Sequence, residues 1–117
     1  MNTKSAKAKG RRLQNMVVEA LKDIFPNLRE DDIKAQTMGM SGEDVVMSPA
    51  ARDIIKYSFE CKNQERLNLW DSLNQASDNC PEDCDPVLVF TRNRKPTYAA
   101  IPFELFINLI KEVSNEK

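Results

Sequence analysis

The 117-residue chain contains no histidine. That excludes every mechanism built on an imidazole: Ser-His-Asp and Cys-His nucleophile pairs, HNH-type nuclease sites, Cys₂His₂ fingers and His-ligated zinc or iron. Cysteine is scarce and odd in number, three in all, and no apolar stretch follows the basic opening MNTKSAKAKGRR. A disulfide framework and a secretory leader are therefore not expected, and a reducing cytoplasm is the expected compartment. Cys61, Cys80 and Cys84 lack the fourth ligand and the spacing of a zinc site. No apolar run approaches the roughly 18 residues that span a bilayer, so no membrane partner is expected.

Charge of neither sign dominates, with 17 Lys and Arg against 18 Asp and Glu. The balance hides a lopsided distribution. Lys4, Lys7, Lys9, Arg11 and Arg12 crowd the first twelve residues with no acid among them, while Glu30-Asp31-Asp32 and Glu82-Asp83-Cys84-Asp85 are acidic. A near-zero sum therefore leaves room for a basic footprint on one face, although a disordered solubilising tail has the same composition. The length suits one domain spanning 1–117, with 1–10 as a basic flexible arm and 102–117 as a C-terminal helix and tail.

Apolar residues at Leu13, Met16, Val17, Ala20, Leu21, Ile24 and Phe25 follow one helical face, which Pro26-Asn27 ends. Short strands are expected over 33–38 and 44–47, and Ser48-Pro49 breaks the second. The stretch 54–62 reads as a longer strand, with Tyr57, Phe59 and Cys61 on one face and Ser58, Glu60 and Lys62 on the other. A helix over 65–79, a buried strand over 86–90 and a partner strand over 97–101 follow. A last helix opens at Pro102, with Phe103, Phe106, Ile107 and Ile110 as its core stripe. The order α-β-β-β-α-β-β-α predicts one α/β domain.

The chemistry-bearing pattern is an acid at a strand start followed by Glu-x-Lys on the next strand. Glu60 and Lys62 project from the same strand face, and pairing of the two strands would bring Asp44 beside Glu60. Two carboxylates and the Cys61 backbone carbonyl are hard oxygen donors suited to Mg²⁺ or Mn²⁺. Lys62 would orient the attacking water or stabilise developing negative charge. Glu-x-Lys by itself is commonly a solvated strand face. Here the opposite face is apolar and helices on both sides would cover the charges, which then need a compensating ion or partner.

Lys9-Gly10-Arg11-Arg12 opening a helix, Ser41-Gly42-Glu43-Asp44, Phe59-Glu60-Cys61-Lys62 and the strand from Val87 to Phe90 together resemble the PD-(D/E)XK nuclease superfamily. Within it, the spacing is most similar to small archaeal Holliday junction resolvases and related phage-encoded resolvase-like endonucleases, over about residues 9 to 104. The resemblance implies a restriction-endonuclease-like αβββαβ core, a central mixed β-sheet flanked by helices. It also implies a Mg²⁺-dependent endonuclease acting on branched DNA, in the host cytoplasm if phage-encoded, and a homodimer is expected because a four-way junction offers two symmetric strands to cut. Asp44 and Glu60 would bind metal and Lys62 would assist the water. Alternatives are a nuclease for linear or nicked duplex and a non-catalytic DNA-binding module of the same fold.

Relatives also carry a glutamate on the first helix, and aligning the Lys-Gly start puts that position on Gln14. At about 100° per residue, Gln14 lies about 75° from the centre of the apolar face and Glu19 about 145° from it. Gln14 is therefore expected in the site and Glu19 in solvent. The resemblance assigns phosphate binding to Lys7, Lys9, Arg11, Arg12 and Ser41. Arg92, Arg94 and Lys95 form a second basic cluster, either a DNA contact or a solvated hairpin tip. Asn63 and Gln64 either bond DNA or cap the following helix, whose Trp70 is expected in the core and whose Gln75 faces DNA or solvent.

Overall fold

The computed structural model describes residues 3–116, so Met1, Asn2 and Lys117 of the expected arm and tail lie outside the described residues. Helix α1 spans Thr3–Ile24, and residues 3–10 are therefore its first turns rather than a flexible arm. Lys4, Lys7 and Lys9 are good helix formers, and no proline separates them from Leu13. Its buried residues are Leu13, Val17, Val18 and Leu21 together with Lys9 and Gln14, whereas Met16 and Ile24 are exposed. Relative to the apolar stripe, the buried face is turned by roughly 30° at about 100° per residue. The cause is that α1 lies across β1, β2 and β3 at once.

A 3-10 turn, Glu30–Asp32, leads into β1 (Ile33–Ala35), which pairs antiparallel with β2 (Val45–Met47), Ile33 opposite Met47. Ser48-Pro49 does more than break the strand. The Ser48 hydroxyl accepts the Ala51 N–H and Pro49 takes the first turn of α2 (Pro49–Ile54), a helix start missed when the motif was read as a breaker. Ser48 also donates to Asp32 at 2.6 Å, fastening α2 to the turn before β1.

Strand β3 (Tyr57–Asn63) runs parallel to β4 (Asp85–Thr91), Tyr57 opposite Asp85 and Asn63 opposite Thr91, with α3 (Leu69–Asp78) as the crossover. Strand β5 (Tyr98–Ala100) adds antiparallel to β4. The architecture is mixed α/β, as expected. Hydrogen bonding divides the strands into a two-stranded and a three-stranded sheet rather than one central sheet.

On the α1 side, Leu13, Val17, Ile33, Val45, Cys61 and Val89 form the core. The other face of β3 and β4 packs on α3 through its buried Ser72 and Ala76. Two expectations fail on the far side. Trp70 is 74% exposed, because α3 turns its small residues, Ser72 and Ala76, toward the sheet and leaves its largest one outside. Helix α4 (Phe103–Asn115) buries none of its residues, so Phe103, Phe106 and Ile110 form an exposed stripe instead of a core.

Candidate active site

Asp44 joins the two sheets. Its N–H donates to Phe59 O at 3.1 Å, and its carboxylate Oδ2 accepts the Cys61 N–H at 2.7 Å. The N–H and C=O of one residue leave an extended strand on the same edge, so the Cys61 carbonyl faces Asp44 as well. The loop that delivers Asp44 carries Gly39 and Gly42 at φ of 87° and 102°, a region that favours glycine. An ion pair between Glu43 and Arg52 holds its end, and Arg52 also donates to Ile55 O and Tyr57 O, so one side chain braces both Asp44 and the start of β3.

Glu60 lies on the α3 face of β3 and is only 6% exposed. Its Oε1 accepts from Asn79, the residue that ends α3, at 3.3 Å, and its Oε2 lies 3.6 Å from Lys62 Nζ. Burial holds the Glu60 carboxyl above its ordinary range, and neighbouring Asp44 adds to the shift. Burial likewise raises Asp44, against the opposing pull of the Cys61 N–H and Lys62. Burial and the same two carboxylates push the Cys61 thiol far up, so this residue can offer its carbonyl but not a thiolate.

Gln14 reaches the same cleft from α1. It is 6% exposed and its Oε1 has no hydrogen-bond partner among the described residues. This cleft, about 230 Å³, is lined by Gln14, Asp44, Glu60, Cys61 and Lys62, with Ala6 and Gly10 above Gln14 on the helix. A second cleft of about 390 Å³ meets it at Asp44, Glu60 and Lys62 and continues past Ser41, Gln75 and Asn79. Glu19 is exposed, on the side of α1 away from the cleft.

The donor set suits a hard divalent cation. No three His, Cys, Asp or Glu side chains gather into a metal-binding group among the described residues. The carboxylate pair is instead accompanied by two neutral oxygens, the Cys61 carbonyl and the unpartnered amide oxygen of Gln14, and a buried acceptor without a donor is what a cation would satisfy.

The expected binding residues divide. Ser41 lines the second cleft and Asn63 the first, where Asn63 donates to Lys9 O at 3.2 Å. Neither Asn63 nor Gln64 caps α3, because Asn68 accepts the Asp71 N–H in that role. Lys9 is not free to bind phosphate from an arm. It is buried beside β3, with Nζ 3.5 Å from Glu65, since helix formation turns it inward. Measured from the row Ala6-Gly10-Gln14 that faces the cleft, Lys7 lies about 60° and Arg11 about 100° round the helix, and Arg12 about 160°. Arg12 therefore points away from the cleft. Arg92 and Lys95 line a third cleft, while Arg94 sits exposed in the turn at φ 64°.

Sequence reasoning missed Arg52, Asn79 and the bracing they supply. Arg52 follows a helix start that was read as a breaker, and Asn79 becomes a neighbour of Glu60 only through packing of α3 on β3. No family model, curated protein or solved structure matches the chain.

Proposed function

We propose that the chain is a Mg²⁺- or Mn²⁺-dependent endodeoxyribonuclease that hydrolyses phosphodiesters of branched DNA, built on the restriction-endonuclease-like core its motif order resembles. The observation that carries this reading is the cleft that Asp44, Glu60, Lys62 and Gln14 line together, with the buried amide oxygen of Gln14 left unpartnered among the described residues. A bound divalent cation would supply charge neutralisation and Lewis acidity at the phosphate. Asp44, Glu60, the Cys61 carbonyl and Gln14 would hold it. Lys62, the ammonium within the cleft, would orient the attacking water and stabilise the charge that builds on the phosphate oxygens. No step needs an imidazole.

The clefts on either side of Asp44 and Glu60 would give a strand a path across the site, with Lys7 and Arg11 about 60° and about 100° round α1 from the cleft-facing row. Arg11→Ala is expected to weaken binding uniformly across DNA sequences and to reduce the slope of log K against log salt by about 1, while Arg12→Ala leaves both unchanged. Titrations at several salt concentrations decide this, and equal effects of the two changes would remove the helix orientation from the argument.

A four-way junction presents two symmetric strands, which suits a pair of identical sites. Phe103, Phe106, Ile110 and Val113 are exposed along one side of α4 at a 3-4-3 spacing, the pattern of a seam between helices. Phe106→Asp combined with Ile110→Asp is expected to convert a dimer into a monomer in sedimentation equilibrium. A wild-type chain that sediments as a monomer at micromolar concentration would refute the homodimer.

The function itself is tested by incubating the protein with a four-way junction, a Y-fork, a nicked duplex and a linear duplex, with Mg²⁺ and with chelator. Metal-dependent cuts confined to the branched substrates are expected. Equal cutting of the linear duplex would point to a general nuclease, and binding without cutting to a DNA-binding module.

A further inference from the structure

The cleft beyond Gln64 has no role in the site described above. It measures about 410 Å³, within the range of small-ligand pockets, and its apolar lining comes from Leu67, Leu69, Phe90 and Tyr98. Arg92 and Lys95 line it too, so the pocket combines aromatic surface with cations. Gln64 lines both this cleft and the one holding Asp44 and Glu60, which makes them neighbours along one path. The backbone there is fixed, since the Gln64 N–H donates to Thr91 O at 3.2 Å.

Tyr98 is 57% exposed although it sits on a strand, and its ring stacks on Phe90 at 6.0 Å with 27° between planes. One ring is thus held in place by another and still presents surface to the cleft. The one acid in the lining, Glu65, is already engaged by the Asn93 N–H at 2.8 Å and by Lys9. The free charge is therefore cationic.

We propose that this cleft is a pocket for one unpaired nucleobase of the bound DNA strand, stacked against Tyr98, with the adjoining phosphates held by Arg92 and Lys95. The proposal rests on the reading of the chain as a DNA-acting protein. A stacked pair such as Phe90–Tyr98 accepts any base through its π-face, and phosphates on either side of the base match the two cations. A fork, or a junction opened at its crossover, presents unpaired bases at the branch point, and intact duplex does not. The pocket would therefore select for branch structure without reading sequence, and would do so next to the site of cutting.

The probe is a forked oligonucleotide carrying a single unpaired 2-aminopurine, compared with a fully paired duplex of the same sequence. Both are bound to the full chain in Ca²⁺ so that neither is cut. Stacking is expected to quench the fluorophore in the fork. Tyr98→Ala should abolish the quench and raise the Kd for the fork about tenfold, with less than a twofold change for the duplex. Tyr98→Phe keeps the ring and should keep both the quench and the affinity, which separates a stacking role from a folding defect. An unaltered quench in Tyr98→Ala, equal losses on fork and duplex, or loss of self-association in Tyr98→Ala with the quench intact would each overturn the pocket. Cleavage by the wild type in Mg²⁺ is measured in parallel. Tyr98-dependent quenching without cleavage removes the nuclease reading and leaves the pocket. Cleavage without Tyr98 dependence removes the pocket and leaves the nuclease, and absence of binding to either DNA removes both.

Discussion

Asp44→Asn is expected to lower Mg²⁺-dependent cleavage of a branched substrate by at least about 10³-fold while the protein stays folded and still binds DNA in Ca²⁺. The two functions of Asp44 separate at this position. Its oxygen accepts the Cys61 N–H, and an asparagine oxygen can take over that bond, whereas the negative charge is lost. Asp44→Ala removes both, leaves the Cys61 N–H without its acceptor, and should cost a further 1–3 kcal/mol of stability or about that. Lys62→Ala should lower the rate by about 10²–10⁴, and no backbone group loses a partner, because Lys62 acts on the carboxylates alone, through a 3.6 Å ion pair with Glu60 and its charge near Asp44. Single-turnover cleavage on a junction or fork provides the measurement. An Asp44→Asn protein that cuts at a tenth of the wild-type rate or faster would remove Asp44 from the site.

In metal-free protein the same carboxylates should weaken the fold as pH rises. Asp44 and Glu60 have ordinary values of 3.8 and 4.5, and burial raises both in the folded chain. Over the window from those values up through the raised ones, the folded state holds protons that the unfolded chain has released. Unfolding free energy therefore falls with pH, and the protonated form's advantage is gone above the raised values. Thermal unfolding in chelator should show lower stability at about pH 8 than at about pH 5 through these two groups. Asp32 shifts the other way, because the Ser48 hydroxyl and the Arg29 N–H favour its charged form. Its contribution is present above 3.8 and lost as pH falls through the lowered value, so it does not enter that comparison.

Glu60→Gln should relieve the effect and stabilise the chelated protein near neutral pH by about 1 kcal/mol, roughly 4 °C in Tm. Millimolar Mg²⁺ should raise the Tm of the wild type and leave Glu60→Gln nearly unchanged. A variant that is more stable and inactive is the mark of charges kept for a cation. If Glu60→Gln instead destabilises the chelated protein, Asn79 and Lys62 already compensate the carboxylate and a cation is not needed there.

The strand carrying Glu60, Cys61 and Lys62 was legible because period-two alternation fixes which side chains share a face. The choice of Gln14 over Glu19 came from the resemblance, which points to Gln14, together with the helical angle. Glu19 is exposed, while Gln14 is buried in the cleft with Asp44 and Glu60. Helix α2 was not, because Ser-Pro is both a strand breaker and a helix start, and only the Ser48 bonds to Ala51 and Asp32 decide between them. Trp70 and the α4 stripe were misread for a common reason. Periodicity reports that a helix has an apolar face, and says nothing of whether a partner covers it.

By itself, then, the sequence determined the chemistry available: no imidazole, oxygen donors at Asp44 and Glu60, and a lysine two residues further along the same strand. These follow from residue type and local period. Tertiary structure alone decided that Asp44 closes onto Phe59 and Cys61, that Asn79 and Arg52 brace the site, that Lys9 is buried and Arg12 turned away, and that Tyr98 stands open beside two cations. Each of those depends on residues far apart in the chain meeting through packing, and packing responds to the whole surface an element must cover rather than to its own repeat.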